Sequence, residues 1–272
     1  MNKCKLIIAF VSIGLISCQV DSENILPNWV DQENSIPAAE TIPPNVQELL
    51  KAYPNELIGY ADNQLIFKDS SMCTYDDNKS KTDADLINHP DIKDMFKYVY
   101  KITTSNFNKR PDFDPGRIRN ELFFDQMYGK TELEVRSNLV EVIWCPKLVN
   151  QVIRVTKING VNERFLALSQ ELDMHPEFKG YLKNIGGTFN YRIISGTSRR
   201  SMHSYGMTID LNVSQSNYWQ WDCKCKDESK ARGYRNQIPY GLVKIFEKHG
   251  FIWGGAWKHY DTMHFEYRPE LL

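Results

Sequence analysis

Two short segments near the C-terminal end hold the side chains best suited to chemistry. In Ser201-Met202-His203-Ser204-Tyr205-Gly206-Met207-Thr208-Ile209-Asp210 a histidine stands seven residues before an aspartate, with Gly206 between them to permit a sharp turn. Asp261-Thr262-Met263-His264-Phe265-Glu266 brings a second histidine, with an acid three residues before it and another two after. His203, Asp210 and His264 together can supply three ligands to Zn²⁺ and leave a fourth position for water, which is the pattern of a catalytic zinc site. Taken singly these signals are weak, since a lone histidine near a glycine is more often a hydrogen-bonded surface residue. Their order and combination carry the reading.

Ligands so far apart in sequence must be gathered by regular elements. The pattern after Gly186-Gly187 predicts short strands over residues 188–194, 207–213, 251–253 and 263–267. In the second of these, Ile209 and Leu211 would point away from Asp210, leaving one carboxylate among apolar neighbours and in need of a cationic partner. A helix is expected over 238–249, with Pro239 near its start and Gly250 just past its end. Upstream, Val161, Phe165, Leu168 and Leu172 recur at helical spacing and predict an amphipathic helix over 161–174. Residues 46–53 and 92–100 also suit helices, and 57–68 reads as a hairpin turning at Ala61-Asp62-Asn63-Gln64. Residues 74–85 read as loop, and Asp114-Pro115-Gly116 marks a turn before Arg117, Ile118 and Arg119. The fold class is therefore α+β, a largely antiparallel sheet with flanking helices.

With these residues in place the chain resembles the M15 metallopeptidases, which include D-Ala-D-Ala carboxypeptidases and dipeptidases and L-alanyl-D-glutamate endopeptidases. The resemblance rests on Ser201-x-His203-x-x-Gly206-x-x-x-Asp210, on Asp261-x-x-His264-Phe265-Glu266 and on Phe189-Asn190-Tyr191-Arg192. It spans about residues 110–272, with its core between 186 and 270. It implies a Hedgehog/DD-peptidase-like core with Zn²⁺ on His203, Asp210 and His264. It also implies a general base at Asp261 and a transition-state arginine at Arg192, although Arg199 and Arg200 stand near the first ligand too. Ser201 is then placed to bind substrate or orient His203, and Glu266 to hold His264. Two departures stand out: Thr208 replaces the alanine that many members have, and Asp261 replaces the glutamate of the dipeptidases. The second leans toward the endopeptidase branch.

The function so implied is zinc-dependent hydrolysis of peptide bonds in peptidoglycan stem peptides, as an endopeptidase or a D,D-carboxypeptidase. The alternative is a non-catalytic, zinc-containing cell-wall-binding lipoprotein of the same fold, and a third reading is an envelope structural lipoprotein without metal. Around the site, Trp253-Gly254-Gly255 and Trp257 are expected to shape the cleft wall. Tyr218, Trp219 and Trp221 read as packing under a loop before they read as a groove for glycan or peptide. His259 reads as a solvent-facing loop histidine, and Arg117 and Arg119 as salt-bridge partners.

The N-terminal end sets the expected address. Lys3 and Lys5 precede an apolar run that closes on Leu15-Ile16-Ser17-Cys18, which resembles a lipoprotein signal with Cys18 as the acylated residue. Residues 1–18 are thus expected to be a signal peptide and 19–45 a flexible tether, reaching about 30 Å on average and about 90 Å at full stretch. Residues 46–110 would form an N-terminal appendage packed on the core, and 111–272 the peptidase domain. The expected address is the cell envelope, lipid-anchored, on the periplasmic side or the outer surface. Without residues 1–18 the balance is 31 basic to 34 acidic side chains, from 33 and 34 in the whole chain, which points to no nucleic acid or other polyanion partner. Cys73, Cys145, Cys223 and Cys225 make disulfides plausible in an exported protein, with three connectivities open. Cys223-Lys-Cys225 as a metal site ranks below that.

Overall fold

The computed structural model describes residues 41–102, 112–231 and 233–272. The expected signal peptide with Cys18, and most of the expected tether, lie outside the described residues. Glu40–Leu272 forms one compact unit.

The unit opens with α1 (Pro44–Ala52), which starts on a proline at its first turn and buries Val46 and Leu49. Strands β1 (Leu57–Ala61) and β2 (Gln64–Phe67) then form the expected hairpin. Its two turn residues, Asp62 and Asn63, both take positive φ (49° and 60°), the geometry that matches the strands' right-handed twist. A third strand, β3 (Met72–Thr74), adds to β2. Helix α2 (Asp83–Asn88) starts at Thr82 with a reciprocal capping box to Asp85.

Helices α3 (Glu121–Tyr128) and α4 (Glu132–Ser137) lead into strands β4 (Leu139–Trp144) and β5 (Gln151–Thr156), paired antiparallel. Helix α5 (Val161–Leu172) packs on β4, and all four of its expected core residues are fully buried. Burial of such side chains contributes about 1.5–3 kcal/mol each. After the single turn α6 (Lys179–Leu182) come β6 (Thr208–Asp210), α7 (Trp219–Cys223), α8 (Tyr240–Lys248), β7 (Phe251–Trp253) and β8 (His264–Tyr267). The last sheet runs in the order β6-β8-β7, antiparallel throughout.

The fold is thus α+β, but its strands form three small antiparallel sheets where one sheet was expected. Residues 188–194 are not a strand. Their backbone is taken up locally: Asn190 N–H donates to His203 O (3.1 Å) and Arg192 N–H to Ser204 Oγ (3.0 Å), leaving only isolated bridges at Gly187 and Ile193. The expected strand over 207–213 is shorter, because Asn212 caps a 3-10 turn at Ser214. Within 92–100 only the 3-10 turn Lys93–Phe96 forms. There the Asp91 and Asp94 carboxylates accept from each other's backbone N–H and bind Lys81. Among the described residues no helix is long and apolar enough to cross a membrane.

Candidate active site

Strands β6 and β8 bring the site together by register. Asp210 stands opposite His264 and Thr208 opposite Glu266. Residues two apart share a face of a strand, so these four point to one side while Ile209, Phe265 and Tyr267 fill the core on the other. His203 arrives on a 3-10 turn, Met202–Tyr205, which ends at Gly206 in the left-handed region (φ 68°). A side chain at Gly206 would meet Leu139 Cδ2 at 2.6 Å, so both conformation and space demand glycine.

Three donor atoms converge. His203 Nε2 lies 3.1 Å from Asp210 Oδ1, His264 Nδ1 lies 2.9 Å from the same oxygen, and the two nitrogens are 3.3 Å apart. Ligands about 2.0–2.1 Å from a tetrahedral zinc stand about 3.3–3.4 Å apart, so this triangle is close to the size that such an ion spans. Among the described residues it is one of two groups of donors near enough to share a metal ion. In the other, Asp76, Asp77 and Asp91, the Lys81 ammonium already binds Asp77 and Asp91.

The electrostatics favour a cation at the triangle. Burial works to raise the Asp210 carboxyl, but His203 and His264 outweigh it and hold it well below the usual carboxylate range. Burial also works against charge on His264, yet hydrogen bonds to Asp210 and Glu266 push the ring up to about 10. Two carboxylates therefore hold positive charge at this imidazole, whether a proton or a metal ion supplies it. Glu266 Oε2 sits 3.1 Å from His264 Nε2, which turns Nδ1 toward the other donors. Glu266 is fully buried; burial would raise its carboxyl, but Arg119 (2.6 Å), His264 and Arg268 keep it ionised.

Asp261 lies beside this group, on the turn between Gly254 and His264. Its N–H donates to Gly254 O (3.0 Å) and its carbonyl accepts from His264 N–H (3.2 Å). A Cβ at Gly254 would come within 2.5 Å of the Asp261 carbonyl oxygen, so the turn closes only with glycine there. Asp261 Oδ1 is buried without a hydrogen-bond partner. Burial, then the nearby Asp210 charge, raise its carboxyl to about 7. A buried carboxylate with one free oxygen, titrating near neutrality, suits a group that exchanges protons.

His203, Asp210, Asp261 and His264 line one cavity of about 440 Å³, together with Ser201 and Arg192. Arg192 is exposed, its backbone fixed by Ser201 and Ser204 and its side chain in no ion pair among the described residues. Ser201 is buried at the cavity wall. Trp257 shapes the wall as expected, its ring 5.6 Å from that of His264, whereas Trp253 is fully buried in the hydrophobic core and Gly254 and Gly255 do not line the cavity. Trp219 is buried, whereas Trp221 is 53% exposed at the cavity lining.

His259 corrects an expectation. It is buried rather than solvent-facing, with Nδ1 2.7 Å from Asp114 Oδ2, because Asp114 and the Glu228 carbonyl give both ring nitrogens partners. Arg117 and Arg119 do form salt bridges, to Asp114 and Glu228 and to Glu266. The role of Arg119 was out of reach of local reading, since its partner lies 147 residues away. Cys223 and Cys225 are joined in a disulfide, and Cys73 and Cys145 are free.

Residues 195–267, which contain His203, Asp210, Asp261 and His264, match the M15 peptidase family model described as D-alanyl-D-alanine carboxypeptidase. No curated protein and no solved structure matches the chain.

Proposed function

Starting from M15 membership, supported by the match over residues 195–267, we propose that this protein is a zinc-dependent peptidase that hydrolyses peptide bonds in peptidoglycan stem peptides. The observation that carries the reading is the triangle of His203, Asp210 and His264 beside the Asp261 carboxylate, one oxygen of which is buried without a partner, in one open cavity. Its core would be of the Hedgehog/DD-peptidase type, and the chain an exported lipoprotein anchored through Cys18.

His203 Nε2, Asp210 Oδ1 and His264 Nδ1 would hold the ion, which when bound supplies Lewis-acid activation of water. Asp261 accepts the proton of the attacking water and returns it to the leaving amine. Arg192, at the cavity lining, would meet the charge that develops on the carbonyl oxygen, an interaction commonly worth about 3–4 kcal/mol. Glu266 fixes the His264 ring, and Ser201 borders the substrate.

The test is to incubate zinc-loaded protein with whole peptidoglycan, alongside Asp261→Ala, and to identify released peptides by mass spectrometry. New termini produced only by the unmodified protein support the peptidase and name its bond, endo or carboxy-terminal. Zinc bound with no cleavage by either protein would replace this reading with the non-catalytic cell-wall binder.

A further inference from the structure

We propose that Arg199, backed by Arg117 and Arg119, forms a carboxylate-recognition site in the cleft, so that the substrate is a peptide presenting a free carboxylate there. The occupant, though not the cationic site, rests on the peptidase reading.

All three arginines line the cavity that holds His203, Asp210, Asp261 and His264. All three also line an adjoining cavity of about 400 Å³, so they form the partition between the two spaces. Two of them are already committed. Arg117 pairs with Asp114 (2.9 Å) and Glu228 (2.7 Å). Arg119 pairs with Glu266 (2.6 Å) and lies 5.4 Å from the centre of the Trp257 ring.

Arg199 differs from both. It forms no ion pair among the described residues, and its Nε is buried without an acceptor. Burial, then Arg117 and Arg119, disfavour its charge, with Glu228 and Tyr218 only partly opposing them. Its backbone is nonetheless fixed: Ile194 N–H donates to Arg199 O (2.8 Å), and Arg199 N–H to Thr197 Oγ1 (3.1 Å). A guanidinium in no ion pair, on a fixed stretch of backbone and beside two more arginines, fits the planar fork of a carboxylate. Two sources can supply one: the C-terminal carboxylate of the peptide, or an acidic side chain within it.

The experiment uses the full chain and calorimetric binding of four peptides. These are the N-acetylated pentapeptide L-Ala-D-Glu-L-Lys-D-Ala-D-Ala, its C-terminal amide, its D-Gln analogue, and the doubly neutralised form. The expected result is binding of the parent at least tenfold tighter than the doubly neutralised peptide. Whichever single neutralisation reproduces the loss identifies the carboxylate. Arg199→Gln should reduce the tenfold preference to within twofold, and Arg199→Lys should keep part of it, both with zinc content unchanged. Equal binding of all four peptides by the unmodified protein, or no binding of any, overturns the proposal, as does a preference that survives Arg199→Gln. Mass spectrometry of the same mixtures keeps the two readings apart. Preference without cleavage counts against the peptidase alone, and cleavage without preference against the carboxylate site alone.

Discussion

At Asp261 the surroundings set the pH at which a proton can be accepted. The carboxyl is raised to about 7 by burial and by Asp210, and a divalent cation nearby pulls it lower. The ionised form is the base, so activity should rise with pH along a limb centred at or below about 7. Asp261→Asn should remove that limb and lower kcat by about 10²–10⁴-fold while zinc binding persists, as rate–pH profiles and metal analysis would read. A fall in zinc content equal to the fall in rate would instead make Asp261 a ligand. Glu266 acts one bond further out, through the His264 ring. Glu266→Gln should weaken zinc binding by about 10–100-fold, measured by competition with a chromophoric chelator.

The β6/β8 pair is the element that makes a site of scattered residues. Its register places Asp210 across from His264, and the turn ending at Gly206 delivers His203. Gly206→Ala forces a left-handed alanine, at a cost of about 1–2 kcal/mol, and drives a methyl against Leu139. The variant should melt several degrees lower in calorimetry and hold zinc more weakly.

Much of this was legible in sequence, since strand periodicity gives the face of Asp210 and the motif spacing gives the ligands. The strand expected over 188–194 failed because its donors serve the His203 turn, a tertiary choice that alternation of residue types does not record. Strands β4 and β5 carry the signal in Leu139-Val140-Glu141-Val142-Ile143-Trp144 and Gln151-Val152-Ile153-Arg154-Val155-Thr156, where inward Val142, Trp144, Ile153 and Val155 alternate. The burial of His259 is not legible locally because it depends on Asp114, 145 residues away.

Over the whole molecule, buried charge ties early segments to the site. From His264 the chain of contacts runs through Glu266 to Arg268, then to Glu270, and on to Tyr53 at the end of α1 (2.5 Å). A second tie joins Asp114 to Arg117 and His259. Burial works to raise the Asp114 carboxyl, but Arg117 and His259 more than offset it and hold it well below the usual range. Its stabilisation is therefore present above the unfolded value of about 3.9 and lost as pH falls below that. Asp114→Asn, which takes the buried carboxylate away from Arg117 and the His259 ring, should cost about 3 kcal/mol at neutral pH in denaturant unfolding. The gap to the unmodified protein should narrow below about pH 4; a gap constant down to pH 2 would show that the pairing contributes nothing.

The central claim is that His203, Asp210 and His264 hold one zinc ion. Its most direct test is metal analysis of purified protein dialysed against metal-free buffer after zinc loading, beside His203→Ala and Asp210→Ala. The account predicts about one zinc per chain for the unmodified protein and a large loss in both variants. Zinc absent from the unmodified protein, or retained in full by both variants, would contradict it.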